Sequence, residues 1–549
     1  MASFSRYITQ LYAFITNPEP RPGLHPIPGS KPLTPGAAIL PPLVYYVALL
    51  LLAPPPPPFI DSIYVKTIRN LLALLAGILF FRLPLAYHVP QSIGLTYQLG
   101  LVGLYGGCRV MDAFFISPYF FRHVPRRVVY VHKPRVQTPN LEDIGATKEW
   151  TDGGVKEPYF HLEKKNTANT ETTAVKVTQV DSAPGSAATQ TNQGRRSSIS
   201  GSSISISEVA RRMSTSIPDA ACDSYFAVQR TLHGPDPQPV LETATTESGW
   251  PRTLRDRASW ALELELSMRG VGFTWTTADV RHTRKTWLPT VGNRVHSILV
   301  HVLPVLVASW FVVRSIYVRY LAAAAAGSSV GDNDERPSRE LFDDRLPLLA
   351  QLLLTGALGA FLMAAFSLGH SLFAIMLSPL APGPLAFFPP LYSVRIWDIT
   401  SVRGFWSYGW HRLFARLFLV YGVWPGEWAE RCLTGKGPGE PADVGKVLGG
   451  FLSSAFVHSF SVRGVLGGDW SSAAGEAKFF ALNGLAVVVE GAVARAVRNL
   501  RKRSGCSERM WYDGWIGRVW WIAVILGSGR NFTRGWVKSG LVRETAFIY

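Results

Sequence analysis

The sequence is poor in cysteine and in charged residues. Four cysteines occur in 549 residues, and they are too scattered to form a Cys-x-x-Cys pair. This scatter argues against a disulfide framework and against a cysteine-based zinc site. Charged residues make up only 17% of the chain and hydrophobic residues 47%, whereas soluble globular proteins carry roughly 25% charged residues. The N-terminal segment also lacks a basic region followed by a long apolar core, so no cleaved signal peptide is predicted.

Acidic residues are scarcer than basic ones, and the formal net charge is +17. An excess of this size can indicate a nucleic-acid partner. Here the basic residues lie mainly beside apolar segments, where anionic lipid headgroups and the positive-inside rule account for them. The predicted partner is therefore the lipid bilayer, and no nucleic-acid partner is expected.

The apolar residues are gathered into stretches long enough to cross a bilayer, which takes about 20 residues. We predict an all-α, polytopic membrane helix bundle with about eight spans. The stretches lie at about 37–53, 70–88, 92–117, 295–323, 347–380, 446–466, 479–497 and 516–530.

Charges flanking the spans predict their orientation. The segments after the third and seventh spans are strongly basic, and the connection after the fourth is acidic. Placing the basic segments in the cytosol puts the acidic connection and both termini in the lumen. Arg314 and Arg319, near the lumenal end of the fourth span, depart from this pattern.

A long polar segment separates the third and fourth spans. Its stretch 165–217 is rich in Ser, Thr and Ala, which predicts disorder. Two Arg-Arg-x-Ser arrangements end at Ser198 and Ser214, so a kinase or phospho-reader is a candidate partner of the 190–217 loop; chance matches in a solvated linker are the alternative. We divide the chain into an N-terminal membrane region (1–120), a polar, largely disordered cytosolic insertion (121–254) and a second membrane domain (255–549).

The second membrane domain opens with RASWALELELSMRGVGFTW, residues 257–275. Trp260, Leu264 and Met268 fall on one helical face, which predicts an amphipathic helix lying against the membrane. The glycines that follow should end this helix. Their spacing is too incomplete for a phosphate-binding loop.

Residues 391–421 combine aromatic side chains with arginines, a composition typical of a membrane interface. One interpretation is an interfacial amphipathic helix. The other is a basic surface at the mouth of a membrane cavity, which would attract a polyanionic substrate. The candidate binding residues are Arg403, Phe405, Trp406, Trp410, Arg412 and Arg416.

The sixth predicted span, VLGGFLSSAFVHSFSVRGVLG, contains His458. This histidine follows Lys446 by 12 residues, which is roughly 18 Å along a helix and well inside a hydrocarbon core about 30 Å thick. An ionisable residue at that depth indicates a functional site, and desolvation would keep its imidazole neutral, as a general base requires. The alternative is a structural histidine bonded to a neighbouring helix.

Four segments, taken in order, resemble the motifs of wax synthases and their fungal relatives, a branch of the membrane-bound O-acyltransferases. RGVGFTW resembles the family's upstream Arg-Gly-x-Gly segment, and SVRGFWSYGWHRLFARLF resembles its Ser-x-Arg-x-Phe-Trp-x-x-x-Trp-His signature. FLSSAFVHSF is similar to the Ser-Gly-x-x-His active-site helix, and KFFALNGLAVVVE is similar to the helix that follows it. Two departures are Tyr408-Gly409, where relatives often have two arginines, and Ala455, where glycine is common.

The resemblance implies transfer of an acyl group from acyl-CoA, as co-substrate, to the hydroxyl of a lipophilic alcohol. The acceptor would be a fatty alcohol or a terpenoid-type secondary metabolite. His458 would be the catalytic base, and His411 the second polar residue of the pair. Arg403, Arg412 and Arg416 are candidates for pairing with the phosphates of CoA. No metal or redox cofactor is expected, and the implied location is the endoplasmic reticulum.

Two other readings of the residues stay open. A lipid or small-molecule transporter would use His458 and Glu490 as polar gates or proton relays. A degenerate enzyme would act as a membrane scaffold whose polar loop recruits partners.

Overall fold

The computed structural model describes residues 19–53, 62–127, 250–275, 291–322, 339–377 and 388–547, apart from gaps of one to three residues, together with the segments 130–132 and 241–243. The stretch 165–217 and its motifs at Ser198 and Ser214 lie outside the described residues. The helices of the described residues all belong to one compact unit, formed by the chain before residue 131 and after residue 242.

The unit is almost wholly helical, as the sequence predicts. Short parallel strands β1 (Lys31–Pro32) and β2 (Tyr87–His88) pair with each other, as do β3 (Tyr130–His132) and β4 (Leu241–Thr243). The helices are α1 (Pro35–Leu50), α2 (Ile63–Ala86), α3 (Ile93–Phe120), α4 (Leu254–Leu266), α5 (Val291–Leu321), α6 (Arg339–Arg345), α7 (Leu348–Leu377), α8 (402–409), α9 (415–434), α10 (Asp443–Arg463), α11 (Ala474–Arg503), α12 (Asp513–Lys538) and α13 (Leu541–Thr545).

A helix covers each of the eight predicted apolar stretches. Five of these helices, α2, α3, α5, α7 and α11, are long and apolar enough to cross a membrane. Helix α1 is apolar but has only 16 residues, and it contains Pro41 and Pro42. Helices α10 and α12 have the length of a span but are richer in Gly, Ser and polar residues.

The chain segments predicted to be lumenal meet at one end of the bundle. Hydrogen bonds join the N-terminal region to the end of α10, the start of α3 to α13, and the end of α5 to the segment after α13. They run from the His25 N–H to the Val465 carbonyl (3.0 Å), from the Ile93 N–H to Glu544 Oε2 (2.7 Å) and from Arg314 Nη1 to the Ala546 carbonyl (2.7 Å). These contacts agree with alternation of the eight helices across the membrane. They also give Arg314 a local partner.

Helix α4 occupies the predicted position, and its apolar face is buried within the protein. Trp260 and Leu264 are fully buried and pack with side chains of α1 and α2. The Tyr46 hydroxyl of α1 donates a hydrogen bond to the Ala258 carbonyl (3.2 Å). Gly270, at φ +72°, then turns the chain away from the helix axis, a conformation that glycine adopts without a Cβ penalty.

The aromatic and arginine-rich segment enters the bundle, so the interpretation as one interfacial helix is wrong. An α-turn (Val402–Gly404) continues as a π-turn (Phe405–Gly409) to form α8, and Trp410 has extended backbone that ends it. The start of α8 lies near Glu490 of α11, and Trp406 lies near Asn483, two turns earlier on that helix. The chain therefore descends beside α11, and His411 lies where it turns back.

Helix α9 returns from this turn in close contact with α10, because four glycines face one another. A Cβ added to Gly426 would lie 2.1 Å from the Gly445 carbonyl oxygen, and one added to Gly449 would lie 2.1 Å from the Gly422 carbonyl oxygen. Side chains larger than hydrogen would separate the two backbones. This glycine seam holds α9 against the helix that carries His458.

Candidate active site

His458 is anchored by a tyrosine from the N-terminal membrane region. Its Nδ1 lies 2.7 Å from the hydroxyl of Tyr97 on α3, and Tyr97 is buried. No described residue forms a hydrogen bond with Nε2 of His458. The imidazole therefore has one nitrogen engaged by the protein and the other available.

Aromatic rings from the last two long helices fix the plane of the imidazole. Phe480 of α11 stacks on His458 with ring centroids 4.6 Å apart and an interplanar angle of 20°. Phe532 of α12 meets the imidazole edge-on at 6.3 Å. This packing and the Tyr97 contact together restrict rotation of the ring.

The structure brings the second predicted histidine to the same place. His411 lies within electrostatic range of His458 and of Arg269. Its ring packs between Phe366 (5.1 Å between centroids) and Trp410 (5.2 Å). Its Nδ1 is buried and has no hydrogen-bond partner among the described residues.

The predicted aromatic residues form the wall that holds His411 in position. Phe405 stacks on Trp521 of α12 at 5.4 Å, and Trp410 packs against both Phe405 and Trp406. Trp406 donates from Nε1 to the buried Asn483 side chain (3.1 Å). These aromatic residues could be identified from the sequence. Their role as a wall depends on partners that are distant in the sequence, such as Asn483, which lies 77 residues after Trp406.

The three predicted arginines lie in different surroundings. Arg403 is exposed at the start of α8, and Arg412 lies within electrostatic range of Arg269. Arg416 bonds Asp112 through Nε (2.7 Å) and Nη2 (3.0 Å), and Ser117 also through Nη2 (2.7 Å). The structure thus gives Arg416 a buried partner within the protein, at the π-turn of α3.

Arg269 is a site residue that sequence reasoning missed, although it lies in the quoted RGVGFTW segment. It is buried, and burial followed by the nearby Arg412 charge lowers its pKa to about 10. The buried Arg109 of α3 supports this turn by donating to the carbonyls of Ser267 (3.2 Å) and Met268 (3.4 Å). A basic charge therefore lies beside His411.

Tyr97, which contacts His458, and Glu476, which lies within electrostatic range of Tyr97, have no local sequence signal. Tyr97 lies in an ordinary apolar span, and Glu476 lies in the first turn of α11. Glu476 is fully buried, and neither of its carboxyl oxygens has a hydrogen-bond partner among the described residues. Their association with His458 exists only in the folded bundle.

A cavity of about 280 Å³ with a mixed polar and apolar lining lies between α5 and α7. Phe366, which packs on His411, precedes the cavity-lining Ser367. His370, which lines the cavity, lies within electrostatic range of Arg269 and Arg294. Arg269 is also within electrostatic range of His411. Its polar lining comes from Arg294, Ser297, His301, Ser367, His370 and Tyr392, among others.

Glu490 has a structural position. One carboxylate oxygen accepts the Val402 N–H (2.7 Å) and the other accepts the Arg403 N–H (3.4 Å). These are the first amides of α8, which would otherwise lack partners. Glu490 therefore caps the short helix that leads to His411.

The fold and the site define a class: a helical membrane protein with two half-buried histidines, one of which has a single ring nitrogen engaged by another side chain. Residues 388–482 match the model of the membrane bound O-acyl transferase family. The match covers 95 of the 549 residues and includes His411 and His458. No curated protein and no solved structure matches the chain.

Proposed function

We propose that this protein transfers an acyl group from acyl-CoA to the hydroxyl of a lipophilic alcohol, with His458 as the general base. The observation that carries the proposal is the 2.7 Å contact between Tyr97 and Nδ1 of His458. It leaves Nε2 for the acceptor, within a family whose members transfer acyl groups.

The reaction follows from that arrangement. Nε2 of His458 takes the proton of the acceptor hydroxyl while its oxygen attacks the thioester carbonyl carbon. The carbon–sulfur bond then breaks, and the imidazolium returns the proton to the departing CoA thiolate. His411, which lies beside His458, is the group proposed to donate to the carbonyl oxygen as negative charge develops there.

For acyl-CoA, we propose an approach from the predicted cytosolic end of the bundle. Arg403 lies exposed where α8 begins, and Arg412 follows His411. Their guanidiniums suit the phosphates of CoA. Arg416 bonds Asp112 and Ser117, so its role in this proposal is to hold the start of α9 in place. Phe405, Trp406 and Trp410 form the wall along which acyl-CoA would approach.

For the alcohol, we propose the cavity between α5 and α7 as the binding chamber. A volume of about 280 Å³ is at the lower limit of the roughly 300–1,000 Å³ of ligand pockets. Its lining combines apolar side chains with an arginine, two histidines and several hydroxyls, which suits a lipophilic acceptor that carries more than one oxygen atom, such as an oxygenated terpenoid, better than an unbranched fatty alcohol. Esterification of both acceptor types, followed by mass spectrometry, tests this preference.

The decisive experiment compares membranes that carry His458→Ala with membranes that carry the wild type and His296→Ala. His296 is a matched control because it is an exposed histidine on α5. Acyl-CoAs of different chain lengths are incubated with each acceptor, and the ester is quantified by mass spectrometry at equal protein abundance. Loss of the ester only in His458→Ala supports the proposal. Full activity of that variant overturns it.

We place the reaction within the bilayer of the endoplasmic reticulum, a location that the resemblance to wax synthases and the several apolar helices support. Imaging of the tagged protein with organelle markers tests this location. If the protein transports the alcohol across the membrane in the absence of acyl-CoA, the alternative function as a transporter is favoured instead.

A further inference from the structure

Glu476 is a buried acid with no assigned role. It is 0% exposed, and both carboxyl oxygens lack hydrogen-bond partners among the described residues. Burying a carboxyl group without a partner costs free energy, so such a group in a folded protein calls for an explanation. The explanation lies in what surrounds the carboxyl group.

The surroundings of Glu476 lead directly to His458. Phe480, one helical turn after Glu476 on α11, stacks on the His458 imidazole. Tyr97, whose hydroxyl contacts Nδ1 of that imidazole, lies within electrostatic range of Glu476. Glu476 and Tyr97 also share a neighbour, Trp536, whose indole lies near the Glu476 carboxyl group and packs edge-on against Tyr97 at 5.6 Å.

Gly535 of α12 has no side chain, and this leaves room for the Glu476 carboxyl group. A Cβ added at Gly535 would lie 3.2 Å from Oε2 of Glu476 and 3.5 Å from Oε1. The carboxyl group therefore fills the space beside α12 that a larger residue would occupy. The carboxyl group of Glu476 is on α11, the phenol of Tyr97 is on α3 and the imidazole of His458 is on α10.

The position of the protons gives Glu476 its role. A base that acts through Nε2 must carry its ring proton on Nδ1, so Nδ1–H donates to the Tyr97 oxygen. The Tyr97 hydroxyl must then direct its own proton to another acceptor. The carboxyl oxygens of Glu476, which form no hydrogen bond with a described residue, supply an acceptor.

We propose that Tyr97 and Glu476 are positioning residues for His458, with Nδ1–H donating to Tyr97 and the Tyr97 hydroxyl donating to the Glu476 carboxylate through one water. The inference rests on the proposed function, since it requires His458 to be the base. When Nε2 takes the acceptor proton, the negative carboxylate stabilises the imidazolium through the phenol. The acid of a Ser-His-Asp triad has the same effect on its histidine by direct contact.

Two isosteric substitutions test the proposal in membranes with acyl-CoA and an accepted alcohol. Tyr97→Phe removes one hydroxyl, and Glu476→Gln removes the negative charge at nearly constant volume. Each should lower kcat roughly 10- to 100-fold, the loss expected from one hydrogen bond to a charged group, and leave KM for both substrates unchanged. Glu476→Asp, which restores the charge, should recover part of kcat.

The matched control is Tyr46→Phe, which removes a hydroxyl that bonds Ala258 far from His458. It should retain the wild-type kcat. Because Tyr97 and Glu476 act in series, the double variant should lose no more activity than Tyr97→Phe alone. Multiplied losses would overturn the serial arrangement.

The outcomes separate this inference from the proposed function. If His458→Ala is inactive while Tyr97→Phe and Glu476→Gln keep the wild-type kcat, the positioning role is overturned and the base remains. If His458→Ala is fully active, the proposed function itself fails. If Glu476→Gln does not accumulate, Tyr97→Phe alone decides the result, because it deletes a single oxygen atom.

Discussion

The guanidinium of Arg416 and the carboxylate of Asp112 form a bidentate ion pair, with Nε–Oδ2 and Nη2–Oδ1 distances of 2.7 and 3.0 Å. Asp112 is 2% exposed and begins the π-turn of α3. The pair joins the N-terminal membrane region to α9, just beyond the turn that carries His411. Such a pair fixes the relative position of its two helices more than it adds to net stability, because the cost of desolvating the two charges offsets much of their attraction.

Breaking this pair should destabilise the fold. Arg416→Ala leaves the Asp112 carboxylate buried without its cation, at a cost of about 3–5 kcal/mol. The midpoint of thermal unfolding of the detergent-purified protein should fall, and the double variant Asp112→Ala/Arg416→Ala should be less destabilised than the sum of the single variants. Strict additivity would show that the two groups do not interact.

Separating α9 from α10 should impair both folding and activity. Gly426→Ala places a Cβ against the Gly445 carbonyl and should cost about 1–3 kcal/mol through displacement of the backbones. Gly359→Ala is the control, because no atom lies within 4 Å of its added Cβ. That control should leave stability unchanged or slightly raised. Equal effects at the two glycines would contradict close packing as the cause.

The exposed arginine of α8 should affect one substrate only. We expect Arg403→Ala to raise KM for acyl-CoA by up to about fivefold, the effect of an exposed ion pair, with KM for the alcohol unchanged. Added salt should reduce the difference between variant and wild type. Arg498→Ala, an exposed arginine of α11, is the control. A selective rise in KM for the alcohol would contradict the proposed path of CoA.

Stability should depend on pH through Glu265 of α4. Burial raises the pKa of this carboxyl group to about 7, a rise that Arg109 opposes. Because the folded pKa lies above the unfolded value, the stabilising contribution is fully present below about pH 4.5 and is lost as the pH rises through 7. Glu265→Gln should therefore unfold at a higher temperature than the wild type at pH 8, with a smaller difference at pH 5. Parallel pH profiles of the two proteins would contradict this assignment.

The long helices and one of the two histidines could be predicted from local sequence. The apolar stretches fix α2, α5 and α7 because a span must satisfy its backbone within itself. His458 was identifiable because an ionisable residue in such a stretch is costly. His411 required the ordered family motifs, since its own neighbourhood reads equally well as a membrane interface.

The remainder of the site depends on contacts between distant segments. Tyr97 precedes His458 by 361 residues, and neither its span nor the first turn of α11 has a pattern that predicts their meeting. The descent of α8 into the bundle could not be predicted, for a related reason. A sequence that mixes aromatic residues with arginines has the same pattern whether it lies at a membrane surface or inside a helix bundle. The deciding partners, Asn483 and Glu490, lie on another helix.

The bond between Ile93 and Glu544 has a consequence for biosynthesis. The first amide of α3 is satisfied by a carboxylate that is made 451 residues later. Until that residue has left the ribosome, the first amide of α3, the helix that also supplies Tyr97, lacks this partner. The site should therefore mature only after synthesis of α13, as a late event that joins distant parts of the chain.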